Sequence, residues 1–168
     1  VVNSAAVRNP KFLEKLVAIY GSSTISVSIE TSKINNKYEI LIETGREKTG
    51  LELFEWIDKV QELKVGEITV TEIPMEGRNK GFNIDLYKDL RKKVDVQLVA
   101  HGGAGPFDNI ADLFKKTDVD AVSIASLFHY NNLKPISSSE YKGSNAFVKS
   151  FKNEDKVGTS VINLKNFL

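Results

Sequence analysis

Residues 96–105 read VQLVAHGGAG, and the rest of the chain can be placed around them. The apolar first half predicts a buried strand from Val96 to Ala100, and Asp108 then opens a helical pattern. A glycine-rich turn between a strand and a helix lets backbone N–H groups approach an anion closely. The positive end of the following helix also attracts the anion. The stretch therefore predicts either a phosphate-binding turn or a merely tight connection.

A second stretch, DAVSIAS at residues 120–126, again leads from a strand into small residues. Strands and helices alternate at roughly 20 to 30 residues, which predicts a parallel sheet. Neighbouring loops of this kind build the phosphate site of (βα)8 barrels. Five βα units are visible, too few to close an eight-stranded barrel, so the pattern predicts the C-terminal portion of such a barrel. An open doubly wound sheet is the alternative.

Composition limits the function classes. The chain has 168 residues, about one domain, and a net charge of +1, which indicates neither nucleic acid nor a membrane surface as partner. It has no cysteine, which excludes disulfides and fits a cytoplasmic location. With two histidines and no cysteine, we expect no zinc site. No other metal and no cofactor is expected. Val1 to Ser4 resemble the tail of a strand, so we expect an N-terminal part to precede them.

Local patterns predict the remaining elements. Besides the two above, three strands are predicted: Ser23–Ile29 with Glu30 at its end, Tyr38–Glu43, either alone or in a hairpin, and Gly66–Thr71. The first predicted helix has Asn9 as its cap and ends at Gly21. The others span Leu51–Leu63, Asp85–Lys92, Asn109–Lys116 and Val161–Leu168, the last of them capped by Thr159 and Ser160. Thr44–Gly50 and Glu72–Phe82 are predicted loops, and residues 131–158 an insertion with a helical piece at Ala146–Phe151.

Six short stretches, taken in order and at near-constant spacing, carry a resemblance to a known family. They are Asn3–Val7, Thr44–Gly50, Gly66–Ile68, Glu76–Phe82, Gly102–Gly105 and Ala125–His129. Together they resemble the cyclase subunit family of imidazole glycerol phosphate synthase. The resemblance implies a (βα)8 TIM barrel, covered here from about strand 4 to strand 8, with residues 1–168 forming one partial barrel domain.

The resemblance also implies an activity. In that family a partner glutaminase docks at the N-terminal face of the barrel and supplies ammonia. The ammonia crosses the barrel and attacks a small-molecule substrate with a phosphate at each end. The imidazole ring then closes, and an aminoimidazole carboxamide ribotide is released. Two carboxylates at the barrel mouth act as acid and base, because proton transfers accompany both steps.

Carried over residue by residue, the resemblance assigns the site. It makes Glu30 one of the two catalytic carboxylates and implies that the other belongs to the first three strands, which the resemblance does not cover. Glu76 matches a further carboxylate of the family and is also assigned to catalysis; the family has Asp at both positions. The backbone at Gly77, Gly103, Ala125 and Ser126 would hold one phosphate, Asn3 and Ser4 would touch the other, and Glu67 would form a charged gate for ammonia. The structural alternatives are a polar strand end for Glu30, a turn cap for Glu76 and a solvated strand start for Glu67. His101 replaces the family's usual Ser and is expected to be a hydrogen-bonded structural residue.

Two other functions remain open. Paralogues of the cyclase in surface-polysaccharide gene clusters supply ammonia for amidine formation on a sugar, and they resemble this chain in having an insertion before the last helix. The Asp-to-Glu departures also favour them. A non-catalytic barrel that kept its phosphate loops is the alternative of another class.

Overall fold

A computed structural model describes residues 1–129 and 159–168 as a six-stranded sheet with helices. The helices are α1 (Ser4–Arg8), α2 (Pro10–Tyr20), α3 (Leu53–Glu62), α4 (Ile84–Arg91), α5 (Phe107–Thr117), α6 (Ser126–His129) and α7 (Val161–Phe167). The strands are β1 (Ser26–Ile34), β2 (Lys37–Ile42), β3 (Glu47–Glu52), β4 (Glu67–Glu72), β5 (Gln97–His101) and β6 (Ala121–Ser123). The predicted insertion at 131–158, with its helical piece at Ala146–Phe151, lies outside the described residues.

The sheet is mixed, with strand order β3-β2-β1-β4-β5-β6. Strands β1, β4, β5 and β6 are parallel, as predicted. At the other end of the sheet the strands are antiparallel: β2 forms with β1 the hairpin considered for Tyr38–Glu43, and β3, which was not predicted, pairs with β2. Val2 forms a parallel bridge with Val27, which agrees with a strand tail at the start of the chain.

The hairpin also corrects two predicted boundaries. Thr44–Gly50 is not simply a loop, because β3 begins at Glu47. The Thr49 hydroxyl donates to the Ile40 carbonyl (2.8 Å), so a polar side chain secures this strand to its neighbour. Strand β1 does not end at Glu30 but continues to Ile34, because β2 pairs with that extension.

Helix boundaries follow local chemistry. Gly21, with φ of 80°, ends α2, because a left-handed backbone is easy for glycine. Ser160 caps α7, its hydroxyl accepting from the Asn163 N–H (3.1 Å). The Asn9 side chain, predicted to cap α2, makes no capping hydrogen bond. Among the described residues, no helix is both long and apolar enough to cross a membrane.

The two faces of the parallel strands differ in chemistry. One face is buried and belongs to the same apolar core as helices α2 to α5; it carries Val27, Ile29, Ile68, Val70, Leu98 and Ala100. We call the other the polar face; it carries Ser26, Ser28, Glu30, Glu67, Thr69, Thr71, Gln97, Val99, His101, Ala121 and Ser123. All of its residues except Thr71 are half-buried or exposed. Within residues 1–129 and 159–168, the core helices thus pack against one face, unlike a doubly wound sheet, which has helices on both.

Candidate functional site

Four side chains of the polar face form a row near the carboxyl edge of the sheet. Glu30 pairs in register with Thr71, Thr71 with His101, and His101 with Ser123. Because the four strands are parallel, the loops after β4, β5 and β6 all leave from the same edge. Glu30 therefore lies at the same end of the sheet as the glycine turn at Gly102.

A cavity of about 250 Å³ opens beside this row. It brings together five residues that the sequence assigned to the site: Glu76, Gly77, Gly103, Ala125 and Ser126. Its other lining residues are His101, Gly102, Ala104, Ser123, Ile124 and His129. Both histidines of the chain thus line one cavity that is walled mainly by loop backbone and small side chains.

The loops around the cavity are in close backbone contact. The Gly81 N–H donates to the Gly103 carbonyl (2.8 Å). Gly103 has φ of 110°, and a Cβ there would lie 2.7 Å from the Gly81 carbonyl oxygen. Only glycine satisfies both the backbone angle and this approach. The third loop is joined to them by the Ser126 hydroxyl, which donates to Oδ1 of Asn79 (3.1 Å).

Glu30 lies outside this cavity, in a separate hydrogen-bonded cluster. Its carboxylate accepts from Nδ2 of Asn3 (2.9 Å) and from the Gly45 N–H (2.8 Å), so each oxygen has a donor. The Ser4 hydroxyl accepts from the Glu43 N–H (3.0 Å). The residues predicted for the second phosphate are thus next to Glu30 and are engaged within the protein.

Glu67 lies at the opposite, amino edge of the sheet. It starts β4, and its Oε1 accepts from the Ser26 hydroxyl (2.6 Å). It pairs in register with Ser26 and Gln97, which form the amino-edge row of the polar face. Its side chain is half-buried.

Three further polar side chains surround these positions: His101, which was expected to be structural, and Asn79 and Asn109, to which the sequence analysis gave no role. Nδ1 of His101 lies 2.9 Å from Oγ1 of Thr71, which fits the structural role expected for this histidine. Asn79 has φ of 53°, in the left-handed region that asparagine tolerates. Asn109, in the first turn of α5, contacts the backbone of Phe82. An asparagine between glycines was the available signal for Asn79, but nothing in the sequence pointed to Asn109.

A buried carboxylate lies on the helix-facing side of β4. Glu72 is 8% exposed; its Oε1 accepts from Nδ2 of Asn83 (3.3 Å), and Oε2 has no partner among the described residues. Burial raises the pKa of Glu72, although the hydrogen bond from Asn83 and the charge of Lys33 act in the opposite direction. Burial and the nearby Glu72 likewise raise the pKa of Tyr38. In the part of the chain that the structure describes, no three acidic or histidine side chains are grouped as metal ligands.

The sequence is similar to known proteins over most of its length. Residues 1–134 match the model of a family described as histidine biosynthesis protein. The chain is 40% identical over 130 residues to imidazole glycerol phosphate synthase subunit HisF of Bacillus cereus (strain Q1), which covers 77% of this chain and 52% of the relative. It is 37% identical over 134 residues to the subunit of the same name from Clostridium botulinum (strain Okra / Type B1), covering 79% and 53%. The chain thus spans about half the length of these relatives.

Proposed function

Because the chain belongs to the histidine biosynthesis protein family, we propose that it is part of the cyclase subunit of an imidazole glycerol phosphate synthase. The subunit would act in the cytoplasm and use ammonia from a partner glutaminase to close an imidazole ring. The observation that carries the proposal is the row of Glu30, Thr71, His101 and Ser123, which puts a carboxylate and the glycine loops at one edge of the sheet.

The proposed fold of the whole protein is a (βα)8 barrel, of which this sheet is the C-terminal portion. The polar face supports this, because in a closed barrel that face lines the interior while the helices cover the outside. The cavity near Gly103 then lies at the carboxyl-terminal rim, where barrel enzymes bind their substrates.

One phosphate of the substrate would bind in the cavity between the loops after β4, β5 and β6. Gly77 and Gly103 line it from two loops, and Ala125 and Ser126 from the third. Backbone N–H groups without obstructing side chains are well suited to an anion. Asn3 and Ser4 would contact the second phosphate. The Ser4 hydroxyl accepts from Glu43 and still has its own hydrogen to donate, and the Asn3 amide has a second N–H besides the one that it donates to Glu30.

Glu30 and Glu76 are the proposed proton-transfer groups. Adding ammonia to the substrate leaves a surplus proton on nitrogen. Ring closure in turn requires a group that accepts or returns a proton. A positioned carboxylate can carry out both transfers. Glu76 is exposed at the cavity and free to reach a ligand. The hydrogen bonds from Asn3 and Gly45 hold the Glu30 carboxylate in one orientation. It can therefore transfer a proton without first losing conformational freedom.

Ammonia would enter at the amino edge of the sheet, where the partner glutaminase docks. Glu67 is at this edge on the polar face. Between it and the row of Glu30 lie small or medium side chains, Ser28, Thr69, Val99 and Ala121. Such a row leaves room for a molecule the size of ammonia to pass along the interior of a barrel.

The direct test is turnover by the full-length protein. It is supplied with the bisphosphorylated ribulosyl-formimino substrate and ammonium salts, and ring closure is followed as release of the aminoimidazole product. Complementation of a histidine auxotroph tests the same activity in cells. Absence of turnover by a folded protein would refute the proposal.

The turn before Glu76 favours one second candidate, a paralogue that supplies ammonia for amidine formation on a surface-polysaccharide sugar. The resemblance places an Asp-Arg-Asp-Gly turn of the cyclase family at residues 74–77, and its first two, charged positions are here Pro74 and Met75, in the short 3₁₀ turn Ile73–Met75. Failure to complement the auxotroph, together with ammonia release dependent on the glutaminase, would favour this candidate.

A further inference from the structure

The side chain of Asn109 joins the first turn of α5 to the loop after β4 rather than capping its own helix. Its Oδ1 accepts from the Phe82 N–H (2.6 Å), and its Nδ2 approaches the Phe82 carbonyl oxygen (3.5 Å). Helix α5 begins after Pro106 without a side-chain cap. The side-chain amide of Asn109 therefore pairs with both the N–H and the carbonyl of Phe82, as the backbone of a neighbouring strand would.

This contact continues directly into the glycine loops. Gly81, next to Phe82, donates its N–H to the Gly103 carbonyl (2.8 Å). A Cβ on Gly81 would lie 2.6 Å from Cγ of Asn109, so Gly81 is enclosed between that side chain and Gly103. On the other side, a Cβ on Gly105 would lie 2.6 Å from the Gly81 nitrogen. Displacement of Phe82 would therefore change the contact that fixes Gly103.

We propose that Asn109 is a positioning residue for anion binding: it holds the loop after β4 against the loop after β5, so that Gly77 and Gly103 face one phosphate. This inference rests on the proposed phosphate site. Asn109 does not line the cavity and need not touch the ligand. Its effect is exerted through Phe82 and Gly81.

The test compares Asn109→Ala with Asn83→Ala in the full-length protein. Asn83 is a matched control: its side chain caps α4 by accepting from the Leu86 N–H and donates to Tyr38 and Glu72, without contacting Gly81 or Gly103. Inorganic phosphate is the probe, titrated calorimetrically. We expect Asn109→Ala to weaken phosphate binding about tenfold, the equivalent of one buried hydrogen bond, and Asn83→Ala to leave it nearly unchanged.

Two further measurements separate positioning from general loss of structure. Amide hydrogen exchange at Gly81 and Phe82 should accelerate in Asn109→Ala and recover in Asn109→Asp, which keeps the acceptor for the Phe82 N–H. With the substrate, KM should rise more than kcat falls, because Glu30 is untouched.

The outcomes distinguish this inference from the proposed function. If the unmodified protein binds no phosphate, the proposed site and this inference both fail. If it binds phosphate and Asn109→Ala binds it equally well, the inference about Asn109 is wrong while the proposed function stands. Equal weakening in Asn83→Ala would also refute it, because the effect would then reflect loss of stability alone.

Discussion

At the scale of single residues, the hydrogen bonds of Glu30 make its role testable. Its oxygens accept from Asn3 and Gly45, so a neutral amide of the same shape can keep one of these bonds. We expect Glu30→Gln to lower kcat by roughly 10²-fold or more, because the carboxylate is lost as a proton-transfer group. Phosphate affinity should change little, since Glu30 lies outside the cavity.

Glu39 provides a matched control for this substitution. Its carboxylate also accepts from a glycine N–H, that of Gly50 (2.8 Å), but it lies in the β2–β3 hairpin. Glu39→Gln should leave kcat within about twofold of the unmodified protein. Steady-state kinetics with ammonium salts measure both variants, and unchanged kcat in Glu30→Gln would refute the catalytic assignment and favour a binding protein without chemistry.

Glu72 predicts a pH dependence of stability. Because burial raises its pKa above the ordinary value of 4.5, the folded protein binds this proton more tightly than the unfolded chain. The free energy of unfolding therefore begins to fall when the pH rises past about 4.5, the ordinary pKa, and it continues to fall through the raised pKa of the folded protein. Above the raised pKa it no longer changes on account of Glu72. Glu72→Gln removes the buried charge and keeps an acceptor for Asn83, so we expect a gain of about 1 kcal/mol near pH 8.

Urea unfolding at pH 5 and pH 8 measures this effect. The advantage of Glu72→Gln should be larger at the higher pH. Glu14→Gln, an exposed substitution on α2, should show no such pH dependence. An advantage that is equal at both pH values would contradict the assignment of the penalty to the charge of Glu72.

At the scale of elements, one hydroxyl group connects α4 to two strands. Tyr87 is fully buried; its hydroxyl can donate to the carbonyl of Val70 (2.8 Å) or of His101 (3.1 Å) and accepts from the His101 N–H (3.2 Å). Tyr87→Phe leaves these buried backbone groups without that partner. We expect a loss of about 1–3 kcal/mol in the free energy of unfolding. Tyr20→Phe, at an exposed position, should cost almost nothing.

Sequence patterns predict elements well where one local force dominates. The four parallel strands have short runs that place apolar residues on the buried face, and Gly21 and Ser160 mark helix ends by their own backbone or side-chain chemistry. Strand β3 was missed because its sequence, EKTGLE, is polar and contains a glycine. Its pairing depends on β2, and on the bonds of Thr49 and Gly50 to that strand, which no local pattern reveals.

The candidate site shows the same division. Glycines and small residues after strands β5 and β6 indicated that the site lies at one edge of the sheet. The cavity at that edge is lined by five of the predicted residues. Asn109 was not predicted, because its partner Phe82 is 27 residues away and an asparagine in the first turn of a helix is common. Long-range side-chain contacts to backbone have no periodic signature in sequence.

At the scale of the whole molecule, the polar face connects the two edges of the sheet, so the proposed route of ammonia along it can be tested. Glu67 lies at the amino edge and Glu30 near the carboxyl edge of the same face. If ammonia from the glutaminase passes Glu67, Glu67→Gln should lower glutamine-dependent turnover by about tenfold, equivalent to about 1.4 kcal/mol in the barrier. Turnover with ammonium salts should be nearly unchanged, because free ammonia can reach Glu30 from the carboxyl edge.

The control for this prediction is Asp95→Asn, which removes an exposed negative charge just before β5, near the same amino edge. A general effect of charge on glutaminase docking would lower glutamine-dependent turnover in both variants. An effect at the gate would appear only in Glu67→Gln, whose side chain belongs to the polar face and contacts Ser26. The ratio of glutamine-dependent to ammonium-dependent turnover is the quantity to measure, since it cancels changes in the cyclase reaction. An unchanged ratio in Glu67→Gln would mean that ammonia takes a path that does not depend on this carboxylate.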